Sequence, residues 1–378
     1  MLKYIEQQHD AMLQLIKQLV SIDSGSHDKQ GVDKVGQILT DYYKQLGFIV
    51  NVSHEKEFGN HLIIQHKDAI EPNIIVLAHM DTVFPKGTAN ERPFRIKGDR
   101  AYGPGVIDMK ASLVTLLYAL KSLIETGNLG YKDVQIVINS DEEIGSITSR
   151  QLIEKMASNK KYALVMEPAR KNGALVSSRR GKGNYTLSVL GKAAHSGIEP
   201  EKGRSAIEEL AHKVIQLHEL SDPDHGINVN VGVIEGGSSV NTISEHATAQ
   251  IDIRISEMDQ AIPLEEKLEE ICASTDVYGT SVSLEGEINR PPMEKTKKTE
   301  LLLKIIKEAG VSIGVKVKDT ATGGGSDASF TAALGIPTID GLGPVGGNAH
   351  SDKEYLELES ITPRTLLLAT VIQRLSEK

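Results

Sequence analysis

The sequence predicts an α/β protein: a mainly parallel sheet sandwiched by helices, with an antiparallel βαββαβ layer inserted into it. Short β-rich runs alternate with helical stretches on both sides of a central block, which suits a parallel sheet covered on both faces. The central block reads strand, helix, strand, strand, helix, strand, an order that can stand as a small layer of its own. A length of 378 residues also exceeds what one core comfortably fills.

Residues 3–21 and 32–46 carry apolar positions at helical spacing, Leu13, Ile16, Leu19 and Val20 among them, and Asp23, Gly25 and Ser26 break the pattern. Strand-like runs follow at 48–52, 62–65, 74–77, 134–138 and 163–166, with a helix over 110–125 before the fourth. The character changes around 177–183. Strands are then expected at 185–190, 228–234, 247–255 and 281–284, and helices at 204–220 and 262–273. Arg290-Pro291-Pro292 ends this block, because Pro-Pro resists both helix and central strand. The earlier pattern resumes from Thr299 with a helix over 302–308, a strand at 337–340 and a closing helix from Thr362. The first domain is therefore expected to be discontinuous, 1–178 plus 293–378, interrupted by a lid over 179–292.

Composition narrows the function. A net charge of -9 with no basic block argues against nucleic acid as a partner. No segment approaches the 18 apolar residues of a membrane span, and Glu6, His9 and Asp10 stand where a signal peptide needs basic and then apolar residues, so a cytoplasmic protein with no membrane partner is expected. The single cysteine, Cys272, allows neither a disulfide framework nor a cysteine metal site and is expected to be a buried, inert thiol.

Chemistry-bearing residues gather after the strand-like runs. Asp141-Glu142-Glu143 follows 134–138, where ligands of open α/β sheets collect, and a carboxylate pair there can divide metal holding from proton transfer. His79-Met80-Asp81 leaves 74–77 with its imidazole and carboxylate two residues apart, on the same side of an extended chain, a spacing that lets an acid orient a metal-binding histidine. Asp108, behind Gly103-Pro104-Gly105, is either the N-cap of the following helix or a carboxylate fixed to bridge two metals. Glu167 ends the run at 163–166, and His350 precedes the last helix. Two imidazoles and three carboxylates, His79, His350, Asp108, Glu143 and Glu167, make a ligand set suited to zinc or a similar borderline metal.

Glycine patterns divide differently. Gly341-Leu342-Gly343-Pro344-Val345-Gly346 matches a dinucleotide fingerprint but holds a proline and opens no helix, so dinucleotide binding is rejected. Gly323-Gly324-Gly325-Ser326-Asp327 reads as a loop whose backbone approaches a substrate, or as a Ser/Asp helix cap. In the lid, His195 follows a strand and Arg254 alternates with isoleucines, which turns it away from them.

Together, and in this order, the segments resemble the di-zinc amidohydrolase family of glutamate carboxypeptidase, aminoacylase, acetylornithine deacetylase and succinyl-diaminopimelate desuccinylase over almost the whole chain. The resemblance implies that His79 and Glu167 hold one zinc, Glu143 and His350 the other, and that Asp108 bridges them with a cis peptide after it. It implies Glu142 as general base, Asp81 as orienter of His79, and His195 as a group reaching the site of the other protomer of a homodimer formed through the lid. Ser21 to Ser26, the loop at Gly324 and the run from His350 to Glu354 and Tyr355 are most similar to the glutamate carboxypeptidase branch, in which residues at Asn241 and Arg254 bind the substrate carboxylate.

The expected activity is hydrolysis of an amide that releases a carboxylate-bearing amino acid from a small peptide or N-acyl amino acid. Two divalent ions are the implied cofactors, zinc first, cobalt or manganese as alternatives. An N-acyl amino acid deacylase or a di- or tripeptidase is the alternative within the family. A non-catalytic scaffold would lack a ligand or the base, whereas every such position is filled here.

Overall fold

Six strands pair into the central sheet of a computed structural model that describes residues 1–377, in the order Phe48–Ser53, His61–His66, Val134–Asn139, Ile74–His79, Tyr162–Val165, Thr338–Ile339. Ile74–His79 runs parallel to both of its neighbours, and Thr338–Ile339 is parallel to Tyr162–Val165, whereas the first two strands add antiparallel at one edge. Continuous apolar runs are what strands buried on both faces require, and all six residues of Ile74–His79 are buried.

Chain direction reverses around Ile74–His79: one crossover leads to Val134–Asn139 on one side, and the next returns past it to Tyr162–Val165 on the other. Right-handed crossovers in opposite directions send their helices to opposite faces. Packing agrees. Ala111–Glu125 lies against Leu2–Gln7, His9–Val20 and Ile361–Ser376, while Arg150–Ala157 lies against Ala328–Ala333. The middle strand is thus a topological switch point, and its carboxyl end is in register with those of both neighbours, His79 opposite Asn139 and Leu77 opposite Val165.

The chain divides into two compact units: Met1–Ser178, Lys295–Thr322 and the residues from Ser326 onward in one, Arg179–Glu294 with Gly323–Gly325 in the other. Gly323–Gly325, expected in the first domain, groups with the second because the Arg179 and Arg254 side chains donate to its carbonyls. The second unit is a four-stranded antiparallel sheet in the order Asn228–Gly236, His246–Ile255, Gly181–Leu190, Ser281–Arg290, with helices Ala206–His218 and Ala261–Ala273. Its own core joins Leu187, Val189, Leu210, Ile251, Ile253 and Leu268.

Several elements differ from the sequence reading. The first helix is interrupted at Gln8 into Leu2–Gln7 and His9–Val20, and Arg150–Ala157 adds a two-turn helix too short to show a clear period. A small sheet of Gly346–Gly347, Tyr355–Glu357, Arg100–Tyr102 and Arg95–Lys97 rests on strands of two or three residues, below the length at which alternation can be read. Cys272 is only partly buried, and burial raises its thiol above the ordinary range. No helix among the described residues is long and apolar enough to cross a membrane.

Candidate metal centre

Three adjacent parallel strands deliver acids and a histidine to one end of the sheet: Ile74–His79 ends on His79, Val134–Asn139 leads into Glu142 and Glu143, and Tyr162–Val165 into Glu167. Asp108 comes from the irregular turn Val106–Lys110, its peptide bond to Met109 cis. It does not cap the helix that starts at Ala111, whose first turn has no side-chain cap. His350 sits in the left-handed region at φ 64°, which few residues other than glycine enter, histidine being among those enriched there.

Asp108 lies between the two imidazoles. Its Oδ1 is 3.3 Å from His79 Nε2 and its Oδ2 3.1 Å from His350 Nε2. Glu167 Oε1 is 3.6 Å from His79 Nε2, and Glu143 Oε2 is 3.1 Å from His350 Nε2. The five predicted ligands therefore converge as two groups sharing one carboxylate. Glu142 also approaches, its ligand atom within 4.8 Å of those of His79 and Glu167. Proximity thus places Glu142 among the donors, and its role as base is separated from that of a ligand only by whether metal survives its replacement.

The donor set fits cations. His79 Nδ1 is 3.0 Å from the Asp81 carbonyl, an acceptor only, so Nδ1 carries a proton, and a neutral His79 turns its Nε2 lone pair toward the Asp108 and Glu167 oxygens, as a metal ligand must. His79 Nε2, Asp108 Oδ1 and Glu143 Oε1 are buried with no hydrogen-bond partner. Such orphaned groups cost about 1–3 kcal/mol each, and facing lone pairs repel, unless a positive charge sits among them. Without a cation, protons compensate the clustered carboxylates in its place. Burial lowers the His79 imidazole, but Asp108, Asp81 and Glu167 together raise it well above its ordinary value. Contacts with Asp108 and Glu143 push His350 up to about 11. Burial, with Asp108 and Glu142 adding repulsion, pushes Glu143 up to about 7, and burial and Asp108 raise Glu167 as well.

A shell of hydrogen bonds holds these groups. Asp81 accepts from the backbone N–H of Glu142 at 3.2 Å, that of Glu143 at 3.1 Å and the Ser26 hydroxyl at 2.7 Å, besides lying 3.4 Å from His79 Nδ1. Buried Asp141 accepts from Thr148 and Ser149, closing the loop behind the two glutamates. Asp327 accepts from Asn139 at 2.7 Å and from the Ser146 hydroxyl, so it is neither a ligand nor a side-chain cap for Ala328–Ala333. Glu354, to which the sequence attached no role, is buried and accepts three backbone N–H groups of the turn that carries Asp108: Gly105 at 3.0 Å, Ile107 at 2.9 Å and Asp108 at 3.2 Å. No local pattern marks it, because its partners lie 246 to 249 residues away. Gly343 of the rejected fingerprint is a contact glycine, since a Cβ there would meet the Glu167 carbonyl at 2.9 Å.

The remaining predicted residues lie in the second unit. His195 is exposed on a ribbon in which Ala194–His195 pairs with Thr242–Ile243, and the Asn241 carbonyl accepts from the next N–H, that of Ser196, at 3.0 Å. Arg254 faces away from Ile253 and Ile255 as its alternation implies, but it is paired: Asp252 takes Nε at 2.8 Å and Nη2 at 3.1 Å, and the Gly323 carbonyl takes Nη1 at 3.3 Å. The partner was legible two residues back on the same face. The Gly324 carbonyl accepts from Arg179 at 2.8 Å.

The sequence profile of "Peptidase family M20/M25/M40" matches residues 75–374. The chain is 32% identical over 373 residues to carboxypeptidase G2 of Pseudomonas sp. (strain RS-16), covering 97% of this chain and 89% of that one. In fold it is similar to a tripeptidase of Staphylococcus aureus, with a TM-score of 0.82 at 22% identity over 98% of this chain and 99% of that one. A dinuclear metal-binding M20 peptidase of Bacillus subtilis is similar with a TM-score of 0.70 at 15% identity, over 98% and 99% of the two chains.

Proposed function

The chain belongs to peptidase family M20/M25/M40, a family of metal-dependent hydrolases, and on that premise we propose that it is a di-metal exopeptidase or amidase of the glutamate carboxypeptidase kind. It would release a carboxylate-bearing amino acid from a small peptide or N-acyl amino acid. The observation that carries the reading is Asp108, one carboxylate whose two oxygens face two different imidazoles, each with its own glutamate.

Two divalent ions, zinc first, with cobalt or manganese as alternatives, would be held by His79 with Glu167 and by His350 with Glu143, Asp108 bridging. Bound there they supply Lewis acidity toward the scissile carbonyl and toward the attacking water. Glu142 takes the proton from that water and passes it to the leaving nitrogen. Asp81 fixes the His79 tautomer while pinning the backbone of Glu142 and Glu143, which couples the base to the ligands.

Arg254 and Asn241 would read the substrate carboxylate. Asp252 orients the guanidinium plane and, with Gly323, occupies three of its five N–H groups, which leaves donors for a second carboxylate. The Gly324 loop would line the substrate backbone. His195 would hold the developing oxyanion in the site of a partner subunit. The edge strand Asn228–Gly236 would pair with its symmetry mate in that homodimer, and the exposed apolar residues Val233 and Ile234 on it and Ile215 on Ala206–His218 support the reading.

Glu142→Gln tests the assignment. It should retain two metals while turnover of an N-acyl glutamate falls by about 10²- to 10⁴-fold. Loss of a metal would make Glu142 a ligand, and unchanged turnover would remove it from the chemistry.

A further inference from the structure

The glycine run at 341–346, rejected as a dinucleotide fingerprint, lies alongside the segment that carries Glu167. Leu342 donates its N–H to the Val165 carbonyl at 3.2 Å and Gly343 donates to that of Glu167 at 2.9 Å, while Ala169 donates back to the Pro344 carbonyl at 3.0 Å. The two segments are thus bonded on both sides of Glu167. Their approach leaves no room for a side chain: a Cβ on Gly343 would stand 2.9 Å from the Glu167 carbonyl, and one on Gly346 would stand 2.7 Å from Ile107, the neighbour of Asp108. A few residues on, the same stretch presents His350. One run of backbone therefore touches or carries the segments of Glu167, Asp108 and His350.

What holds that run is Arg364, on the closing helix Ile361–Ser376. Arg364 is 5% exposed, and its guanidinium donates to backbone carbonyls: to Gly343 from Nε at 2.8 Å, to Gly341 from Nη2 and to Gly173 from Nη1 at 3.3 Å. Among the described residues no carboxylate pairs with it, although arginine is almost never buried without such a partner. Burial draws its pKa down to about 10, which leaves it charged at neutral pH. Removing an unpaired cation from water is costly, and the neighbours Leu366, Leu367 and Leu368 are buried and apolar, so a leucine would serve packing alone better. The rigid planar fork of a guanidinium does what leucine cannot, fixing several carbonyl oxygens at set positions. We infer that Arg364 is a positioning residue for the metal centre, clamping the backbone at 341–343 against the Glu167 segment. The inference rests on the di-metal reading above and adds to it a residue that touches no ligand side chain.

The test measures zinc affinity by chelator competition, with the thermal midpoint alongside, in the parent protein, Arg364→Lys, Gly343→Ala and Leu375→Ala. Lysine keeps the charge but lacks the fork that reaches several carbonyls at once. Gly343→Ala leaves Arg364 in place and forces a Cβ onto the Met166 and Glu167 carbonyls. Leu375, buried on the same helix about three turns beyond Arg364, reports plain loss of packing. Arg364→Lys and Gly343→Ala should each weaken zinc binding by at least about 10-fold, as replacing outer partners of metal ligands does, whereas Leu375→Ala should lower the midpoint and keep zinc affinity within about 2-fold of the parent. Arg364→Gln, with two N–H donors and no charge to bury, takes the place of Arg364→Lys if that variant does not fold, and Gly343→Ala decides if neither does. Variants that lose no more zinc affinity than Leu375→Ala overturn the proposal and leave Arg364 a packing residue. A parent protein that binds two zinc ions, with affinities the variants do not move, removes this proposal alone. A parent protein that binds none removes the di-metal reading and the proposal with it.

Discussion

Glu354→Gln isolates the hold on Asp108, because it changes one atom of a buried side chain that touches Asp108, the proposed metal bridge, only through its backbone. Glu354 Oε1 accepts from Ile107 and Asp108, and Oε2 from Gly105. Glutamine can keep one oxygen for one set, but its amide nitrogen then faces an N–H donor. A buried N–H left without an acceptor costs about 1–3 kcal/mol, and the surviving bonds lose their charge assistance. With about 1.4 kcal/mol per tenfold, that corresponds to roughly 5- to 150-fold. The turn relieves the clash by moving, and Asp108 moves with it, so the penalty should appear largely as weakened metal binding. Outer partners of metal ligands typically contribute about 10- to 100-fold in affinity, which agrees with the hydrogen-bond estimate. Chelator-competition titration of the purified variant reads this directly, with circular dichroism confirming the fold. Metal affinity within about 2-fold of the parent protein, in a folded variant, would refute the role of Glu354 in positioning Asp108.

Arg254→Ala should cost substrates with a free carboxylate about 10- to 100-fold in kcat/KM while their amide analogues lose far less, as expected for loss of a charged hydrogen-bonding pair. Equal losses on both would assign Arg254 to bracing the Gly323 loop through its contacts with Asp252 and the Gly323 carbonyl. His61, buried between the Ser140 and Thr148 hydroxyls, has its pKa lowered by burial, with Asp141, Glu55 and Asp81 opposing. Below its ordinary pKa of about 6.5 the unfolded chain binds a proton that the folded state resists, so its stability contribution is present above that pH and is lost as pH falls through it. The thermal-midpoint advantage of the parent over His61→Gln should therefore shrink between about pH 7.5 and about pH 5.5. A difference that stays constant with pH would contradict the buried, neutral state.

The parts of the fold that the sequence displayed are those with long-lived patterns. The run at 74–77 is apolar throughout, and that at 134–138 is apolar except for Gln135, because helices cover both sides of the sheet, and the residues just beyond them, His79 and Glu142 with Glu143, had to emerge at the sheet's end. Arg254 alternating with Ile253 and Ile255 was equally plain, since one face of that antiparallel layer is core. What stayed hidden depends on contacts between segments distant in the chain. Glu354 and Asp327 look like ordinary loop acids, and only the folded chain brings their acceptor oxygens to Gly105, Ile107 and Asp108, or to Asn139 and Ser146. Asp108 was ambiguous for the opposite reason. A helix does follow it, but that helix begins at Ala111, leaving the carboxylate free of capping and directed between His79 and His350.

Whether two cations share Asp108 is read by anomalous diffraction from crystals grown with zinc, paired with elemental analysis of the same preparation. Two ions per chain are expected, one on His79 and Glu167, the other on Glu143 and His350, both in contact with Asp108, and the same two ions in Glu142→Gln. A single ion, or a pair in which Glu142 replaces Glu143 or Glu167 as a ligand, would contradict that arrangement.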